Sequence, residues 1–323
     1  MLANARRDQW KVEDLDWSQK PRALSKDDEI AIVQLFTDMA GIERLAGALF
    51  AEQIRRTEDP TLKEIFKTFV VDEIRHAEAA ERLARFYDVH HFKSYALNAN
   101  LVRFTPHFMA AIEYLSDDVA NAYITSGELI LDVALLRSIN DYVADGMSEA
   151  AMRLINRDES RHIAIDYHMV EYYASPAYAE KERAHPKSSS LRERAKAAWT
   201  MGAVLWFAKP FFRDVFFSPM ERVDPTGTRL REAFRRIQLL GAKPGVRDRP
   251  FSKFMSKLQE LYMTVTTEHP RAGRVVGDVL ARAAGLEPQF LQRLVTDEDE
   301  RRACAMTFDE LAEDALRVKD QPA

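Results

Sequence analysis

Apolar residues recur at helical spacing through most of the 323-residue chain, and the pattern predicts four long helices in its first half. Ser25 begins a capping motif before the first of them. Asp59 and Pro60 separate the first two helices, and Asp145 and Gly146 separate the last two. The predicted helices span about 25–56, 60–87, 117–144 and 148–174. Two helical hairpins of this length predict an all-α fold with a four-helix bundle.

The rest of the chain is also predicted to be mostly helical. Residues 88–105 lose clear periodicity and predict a long connection, whereas Pro176, Pro186 and Ser188–Ser190 mark a joint near 175–190. Further helices are predicted at about 191–217, 227–240, 251–267, 271–284 and 287–295, with Gly285 as one of the breaks. The predicted division is an N-terminal arm at 1–24, a bundle at 25–175 and a C-terminal helical region at 191–323 packed on the bundle.

The first C-terminal helix is exceptionally apolar, with aromatic residues that include Trp199, Trp206 and Phe211. Such a helix is more often a core element or a dimer contact than the wall of a substrate site. We therefore predict a homodimer. No catalytic motif is recognisable in this third of the chain.

Charge and composition narrow the functional classes. The chain carries 46 basic and 51 acidic residues without long runs, which argues against nucleic-acid binding. The single cysteine, Cys304, excludes an internal disulfide and suits a reducing compartment. The N-terminus lacks the apolar segment of a signal peptide, and the longest apolar run is about half a membrane span. A soluble cytoplasmic protein without a membrane span is expected.

The sequence Asp-Glu-x-Arg-His occurs twice, at residues 72–76 and 158–162. Positions i and i+3 lie on one face of a helix, so Glu73 and His76 point the same way, as do the equivalent residues of the second copy. A carboxylate and an imidazole on one face suit a divalent metal ion. One such pair on a Glu-rich helix is usually only a solvated face, but two matched copies favour a metal site.

Two further glutamates complete the predicted site. Glu43 precedes Glu73 by thirty residues, and Glu128 precedes Glu159 by thirty-one. In an antiparallel hairpin, residues about equidistant from the turn meet at the same depth. The candidate metal ligands and catalytic residues are therefore Glu43, Glu73, His76, Glu128, Glu159 and His162. Four carboxylates would balance two divalent cations, and we predict two iron ions or a manganese–iron pair.

The aspartates of the two motifs have a predicted supporting role. A ligating imidazole usually donates its other N–H to a carboxylate, and the two motif helices face each other. We therefore predict crossed pairs, Asp72 with His162 and Asp158 with His76. Arg75 either neutralises these aspartates or lies on the surface, and Arg161 has the same two alternatives.

Other polar residues lie one turn from the candidate ligands. Asp132 follows Glu128 and Asp166 follows His162, and each is either a support for the ligands or a polar residue at the edge of the bundle. Tyr123 is a further candidate support, although packing explains it better than redox activity. His90, His91 and His107 are expected to be surface or packing residues.

The doubled motif resembles the ferritin-like di-iron carboxylate superfamily. It is especially similar to hydroxylase subunits of bacterial multicomponent monooxygenases, to soluble acyl-carrier-protein desaturases and to oxidases related to ribonucleotide reductase small subunits. The likeness covers about residues 10–175, and residues 10–17 weakly resemble the N-terminal segment of the last group. It implies a ferritin-like bundle, the six named residues as iron ligands, and oxygen activation.

Three positions depart from these relatives. Ala80 stands where ribonucleotide reductase small subunits have their radical tyrosine, and Ile155 stands where arylamine N-oxygenases have an additional histidine. Asp132 stands where multicomponent hydroxylases usually have threonine. The resemblance therefore specifies the metal site and leaves the substrate open.

The leading hypothesis is an O2-activating oxidase or monooxygenase. Electrons would come from an external reductase or ferredoxin, since the chain has no flavin or iron–sulfur motif. Apolar residues near the site suggest an apolar small-molecule substrate, although any bundle core would look the same: Ala46, Gly47, Phe50, Phe69 and Ile124. The alternatives are a ferritin-type iron oxidation and storage protein, which would not need the C-terminal third, and a metal-radical subunit serving a partner enzyme.

Overall fold

The computed structural model describes residues 1–184, 190–284 and 288–319, and every regular element within them is helical. The α-helices are α1 (Leu2–Arg7), α2 (Lys26–Arg56), α3 (Pro60–Tyr87), α4 (Ala99–Ile112), α5 (Asp117–Glu128), α6 (Arg137–Val143), α7 (Gly146–Ala174), α8 (Pro176–Ala184), α9 (Leu191–Phe212), α10 (Ser218–Val223), α11 (Thr228–Ala242), α12 (Pro250–Glu268), α13 (Pro270–Ala284), α14 (Asp297–Ala305) and α15 (Phe308–Lys319). Leu129–Leu136 and Arg213–Phe217 are π-helical, and Val12–Asp14 and Pro288–Leu291 are short 3-10 helices.

The predicted bounds of the four long helical segments are confirmed to within two residues. Their starts are set by capping side chains. Ser25 accepts a hydrogen bond from the backbone N–H of Asp28 at the start of α2. Asp59 caps α3, whose first residue is Pro60, and Asp145 caps α7. These local interactions fix where each helix begins and therefore the depth at which its side chains lie.

The third long segment runs without a break from α5 through the π-helix into α6. By length and composition, Asp117–Val143 could cross a membrane, but 72% of its most apolar window is buried inside the protein. This burial is compatible with the core helix of a soluble protein. The π-helix begins directly after Glu128, and the wider turn rotates the following side chains relative to an ordinary α-helix.

The long segments pack pairwise, and the C-terminal helices cover them. α2 runs along α3, α5 packs on α7, and α3 meets α7. The ring of Phe36 on α2 stacks on Tyr87 of α3 with centroids 5.7 Å apart. α9 lies against α4, α11 against the π-helix after α5, and α15 against α7. The last third of the chain is thus in direct contact with the segments that carry the motifs.

Residues 1–24, predicted to be an extended arm, are partly helical and lie along α3. Trp10, Val12 and Leu15 are buried in the main core. The arm is therefore an integral part of the packed structure.

The prediction of a connection up to residue 105 was wrong in its second half, because α4 begins at Ala99. Leu101, Phe104 and Phe108 follow helical spacing and are buried, and Pro106 lies inside the helix. A proline in a helix interior removes one backbone donor, which is why it normally argues against a helix. The helix nevertheless forms, and it packs against α9.

The predicted helix at 287–295 was also wrong. Within its described part, residues 288–295, the one helical stretch is the 3-10 helix Pro288–Leu291, and α14 and α15 follow without having been predicted. Thr296 caps α14 through the backbone N–H of Asp299. The expected breaks at Pro186, Ser188, Ser189 and Gly285 lie outside the described residues.

Candidate metal centre

Six buried side chains from four helical segments converge in the interior. They are Glu43 from α2, Glu73 and His76 from α3, Glu128 from the end of α5, and Glu159 and His162 from α7. Each is at most 4% exposed. All six were predicted as ligands from the sequence, and the structure brings them together.

The ligand-type atoms of these residues form two groups, within each of which they lie no more than 4.8 Å apart. One group is Glu43, Glu73, His76 and Glu159, and the other is Glu73, Glu128, Glu159 and His162. Both groups contain Glu73 and Glu159. A carboxylate has two oxygens, so each shared residue can serve two ions at once.

Many polar atoms of this cluster have no hydrogen-bond partner. Both carboxylate oxygens of Glu43, Glu73 and Glu159 are buried and have no hydrogen-bond partner. Nδ1 of His76 lies 2.9 Å from Glu159, and Nδ1 of His162 lies 3.0 Å from Glu73, but neither contact has hydrogen-bond geometry. Buried polar atoms are normally satisfied, so this arrangement suits cations that would accept the lone pairs.

The histidines and aspartates lie in the crossed arrangement that the sequence predicts, and of the two contacts only that of His76 with Asp158 has hydrogen-bond geometry. Nε2 of His76 lies 3.4 Å from Oδ2 of Asp158, and Nε2 of His162 lies 3.6 Å from Oδ2 of Asp72. Both aspartates are fully buried. Each imidazole therefore turns Nδ1 towards the glutamates and Nε2 towards an aspartate, which fixes the orientation of the ring.

Both motif arginines lie against the aspartates and are almost fully buried. Arg75 donates to Asp72 at 2.9 Å and to Asp158 at 3.2 Å. Arg161 donates to Asp158 at 2.7 Å and to Asp72 at 3.2 Å. The two guanidinium groups thus balance the charges of the two aspartates. The alternative that Arg75 and Arg161 are surface residues is excluded.

The N-terminal arm completes this outer layer, which the sequence did not predict. Nε1 of Trp10 donates to Oδ2 of Asp158 at 2.7 Å, and Gln9 donates to Asp72 at 3.2 Å. The guanidinium of Arg75 lies 5.4 Å from the centre of the Trp10 ring and donates to Gln9. The sequence signal for this contact was a tryptophan, Trp10, in a polar segment. That signal did not identify Asp158 as its hydrogen-bond acceptor.

Three of the four candidate glutamate ligands have a raised pKa when no cation is present. Burial, reinforced by the charge of Glu159, raises the pKa of Glu43 to about 7. Burial and the same charge raise the pKa of Glu73 and of Glu128 well above the usual range. Although burial opposes it, the neighbouring His162 and His76 hold the pKa of Glu159 well below its usual range.

The histidines are correspondingly basic. Burial disfavours the imidazolium of His76, but Asp158 and Glu159 outweigh it and raise the pKa to about 10. Glu159 and Asp72 likewise outweigh burial and raise the pKa of His162 to about 9. Without metal, protons therefore supply the positive charge that the cluster needs.

The remaining candidates occupy different positions. Asp132 is fully buried in the π-helix and belongs to neither ligand group. Asp166 is buried, and burial together with the charge of Glu159 raises its pKa well above the usual range, although His162 opposes this. Tyr123 makes ring contacts with Phe108 and Phe251. Those contacts place Tyr123 in a packed wall, as the packing alternative predicted.

The small and aromatic residues near the centre have distinct roles. A side-chain carbon at Gly47 would lie 3.2 Å from Cβ of Glu73, so Gly47 allows the close approach of α2 to α3. The rings of Phe50 and Phe69 lie 5.2 and 4.1 Å from that of His162 and shield one side of the centre. Ala46 and Ile124 face a cavity instead.

This cavity has a volume of about 670 Å³ and reaches Glu128. Residues of α2, α4 and α5 form one side, and residues of α9, α11 and α12 form the other. The wall contributed by α9 includes Val204, Ala208 and Phe211. The sequence favoured α9 as a core element or dimer contact over a role in the wall of a substrate site. In the structure, α9 forms part of the wall of this cavity.

The three scattered histidines lie away from the centre. His90 contacts Glu29 at 2.8 Å, and His91 contacts Asp88 at 3.1 Å. The ring of His107 stacks on Phe207 with centroids 4.6 Å apart. Their expected role as surface or packing residues agrees with these contacts.

Comparisons of the chain with protein families, with curated proteins and with solved structures find no match. An all-helical chain with a buried cluster of glutamates and histidines is compatible with a ferritin-like fold. The chemistry of the chain is therefore inferred from the geometry of the centre.

Proposed function

We propose that the chain is an O2-activating non-haem di-iron oxidase or monooxygenase on a ferritin-like four-helix bundle. Its reaction would be hydroxylation, desaturation or N-oxygenation of a mostly apolar organic substrate. The observation that carries the proposal is that the two ligand groups share Glu73 and Glu159. Two overlapping groups with two common carboxylates suit a pair of neighbouring ions rather than one ion.

The donor set fits such a pair. Glu43 and His76 would hold one ion, Glu128 and His162 the other, and the shared glutamates both. Four carboxylate charges would be balanced by two divalent cations, and nitrogen and oxygen donors without thiolate suit iron or manganese. The unpaired buried oxygens support this assignment, because they are costly to bury without a cation.

When bound, two irons would supply the reduction of dioxygen that drives substrate oxidation. The residues of the chain would position and protect that chemistry. Asp72 and Asp158 hold the imidazoles in one orientation. Phe50 and Phe69 exclude water beside His162. Oxidation of a substrate by O2 with release of water consumes two further electrons, and an external reductase or ferredoxin would supply them.

The cavity favours this function over the ferritin-type alternative. An apolar space that ends at Glu128 suits an organic molecule, whereas a path for iron ions would need polar walls. The metal-radical alternative loses support because buried Ala80 occupies the place of the radical tyrosine.

The test is metal content combined with stopped-flow absorption after the ferrous protein is mixed with oxygen. We expect two irons per chain, and transient absorption that decays faster when apolar candidate substrates are added. Glu73→Gln should lower the iron content and abolish the transient. Glu78→Gln, an exposed glutamate on the same helix, should change neither.

Two outcomes would contradict the proposal. Iron uptake far beyond two per chain, with direct formation of ferric iron, would identify a storage protein. Failure of the wild-type protein to bind iron or manganese would exclude the metal centre altogether.

A further inference from the structure

The position before Glu128 is a glycine with free space in front of it. Gly127 lies inside the continuous helical segment that carries Glu128 and lines the cavity. A side-chain carbon added at Gly127 would meet no atom within 4 Å. Glycine in a helix interior is destabilising relative to alanine, and here no neighbouring group requires it. Gly127 is exposed, and the helix thus leaves the cavity open beside a candidate ligand.

The two ends of the cavity differ chemically. Glu128 lies at the buried end, whereas Arg247, Asp248 and Glu260 are exposed lining residues at the solvent end. Charges of both signs at the rim do not select a strongly anionic or cationic molecule. A ligand would therefore place its apolar part inside and a polar group near the rim.

The walls are rich in aromatic rings. Phe104 and Phe211 stack with centroids 4.3 Å apart, and Phe108 and Phe251 flank Tyr123. All five residues line the cavity. Aromatic walls favour offset-stacked or edge contacts with other rings. The volume of about 670 Å³ lies within the range of about 300–1,000 Å³ found for organic ligand sites.

One wall is less firmly packed than the others. α12 contributes Phe251, Met255 and Gln259 to the cavity, yet none of its residues is fully buried. A wall with little buried surface separates from its neighbours at low cost. The side covered by α12 is therefore expected to open at low cost.

From these observations we propose that the cavity binds a bulky, multi-ring apolar molecule, which enters beneath α12 and places its apolar end against Gly127 and Glu128. The assignment of this molecule as the substrate rests on the proposed oxidase function. Its binding does not depend on that function.

Binding is tested with the uncharged fluorophore N-phenyl-1-naphthylamine and the full-length protein as isolated. We expect fluorescence enhancement with saturation, and displacement by phenanthrene at lower concentrations than by dodecanoate. Gly127→Leu should weaken binding about tenfold or more, because the new side chain would occupy cavity space beside Glu128. Gly202→Leu is the matched control, because Gly202, like Gly127, is an exposed helical glycine with no atom within 4 Å but does not line the cavity.

A second variant approaches the cavity from the opposite wall. Leu205→Trp on α9 narrows the cavity without altering a helix that carries candidate ligands, and it should also weaken binding. Wild-type affinity in both Gly127→Leu and Leu205→Trp would overturn the proposal, as would tighter binding of dodecanoate than of phenanthrene. Equal weakening by Gly202→Leu would also overturn it.

Iron content measured on the same samples separates the two proposals. Dye binding without iron binding would leave the cavity assignment standing and remove the oxidase. Two irons per chain without dye binding would leave the oxidase proposal standing and remove the cavity assignment.

Discussion

Nε2 of His76 lies 3.4 Å from Oδ2 of Asp158, a residue that belongs to the other copy of the motif. The reciprocal contact joins His162 to Asp72 at 3.6 Å. Each copy thus supplies a histidine to the centre and an aspartate that orients the histidine of the other copy. The two copies depend on each other as well as resembling each other.

Replacing one of these aspartates should weaken metal binding without removing a ligand. We expect Asp158→Asn to reduce the affinity of one ion by about 10–100-fold, because the imidazole of His76 loses its charged partner. Asp72→Asn should do the same through His162. Chelator competition measures the affinities, and exposed Asp27→Asn is the control. Wild-type affinity for both ions in both motif variants would contradict the role assigned to the crossed pairs.

Metal loading should release protons. Ligation requires neutral imidazoles and ionised carboxylates. At pH 7 the metal-free protein holds His76 and His162 protonated, since their pKa values are about 10 and 9. Glu43, with a pKa of about 7, is half protonated, and burial raises the pKa of Glu73 and of Glu128 well above the usual range. At least about two protons per chain, those of the two imidazoles, should therefore leave on loading.

The direction in which metal affinity changes with pH follows from this proton release. Groups that must lose protons to bind metal make the apparent affinity fall as pH falls, and affinity should rise between about pH 6 and 9. Titration calorimetry in two buffers of different ionisation enthalpy measures the number of protons. Release of less than about one proton at pH 7 would show that the cluster is not charged in the way described.

The arm should contribute to stability through Trp10. Trp10→Phe removes a hydrogen bond to the buried carboxylate of Asp158 and should lower the free energy of unfolding by about 1.5–3 kcal/mol. Trp17→Phe removes a hydrogen bond to the backbone oxygen of Val12, a neutral acceptor, and should cost about 1 kcal/mol. Urea unfolding measures both. A larger loss for Trp17→Phe than for Trp10→Phe would show that the contact with Asp158 contributes little.

Replacement of glycine by alanine should have opposite effects on stability at Gly47 and at Gly127. At Gly47 the new methyl group would lie 3.2 Å from Glu73, and separating α2 from α3 should cost about 1 kcal/mol or more. At Gly127 the methyl group enters open space, and the helix should gain about 0.5–1 kcal/mol. Thermal unfolding of the two variants decides the signs. Destabilisation by Gly127→Ala would show that the backbone there requires glycine.

The candidate ligands could be predicted because their positions follow from local rules. Glu73 and His76 share a face through the i, i+3 relation, and Glu43 reaches the same depth because Asp59 and Pro60 lie midway between the two glutamates. No comparable rule connects Trp10 to Asp158, which are 148 residues apart. Contacts of that kind depend on how whole helices pack.

The cavity was missed for a related reason. Phe211 would give the same apolar pattern in a filled core and in a wall, because periodicity reports which face is buried and not how far away the opposite face lies. α4 was missed because residues 88–105 were interpreted as a stretch without clear periodicity, although Leu101, Phe104 and Phe108 follow helical spacing. The first error concerns tertiary packing, and the second concerns the pattern itself.

The order in which the chain is synthesised has a consequence for the centre. Glu159 belongs to both ligand groups, and it lies on α7, the last of the four segments to be made. A nascent chain that already presents Glu43, Glu73 and His76 has neither group complete. Trp10 is made early, but it has no carboxylate to bond until Asp158 is present. The unfinished polypeptide therefore lacks a complete ligand group, and neither four-residue group can form until α7 has left the ribosome.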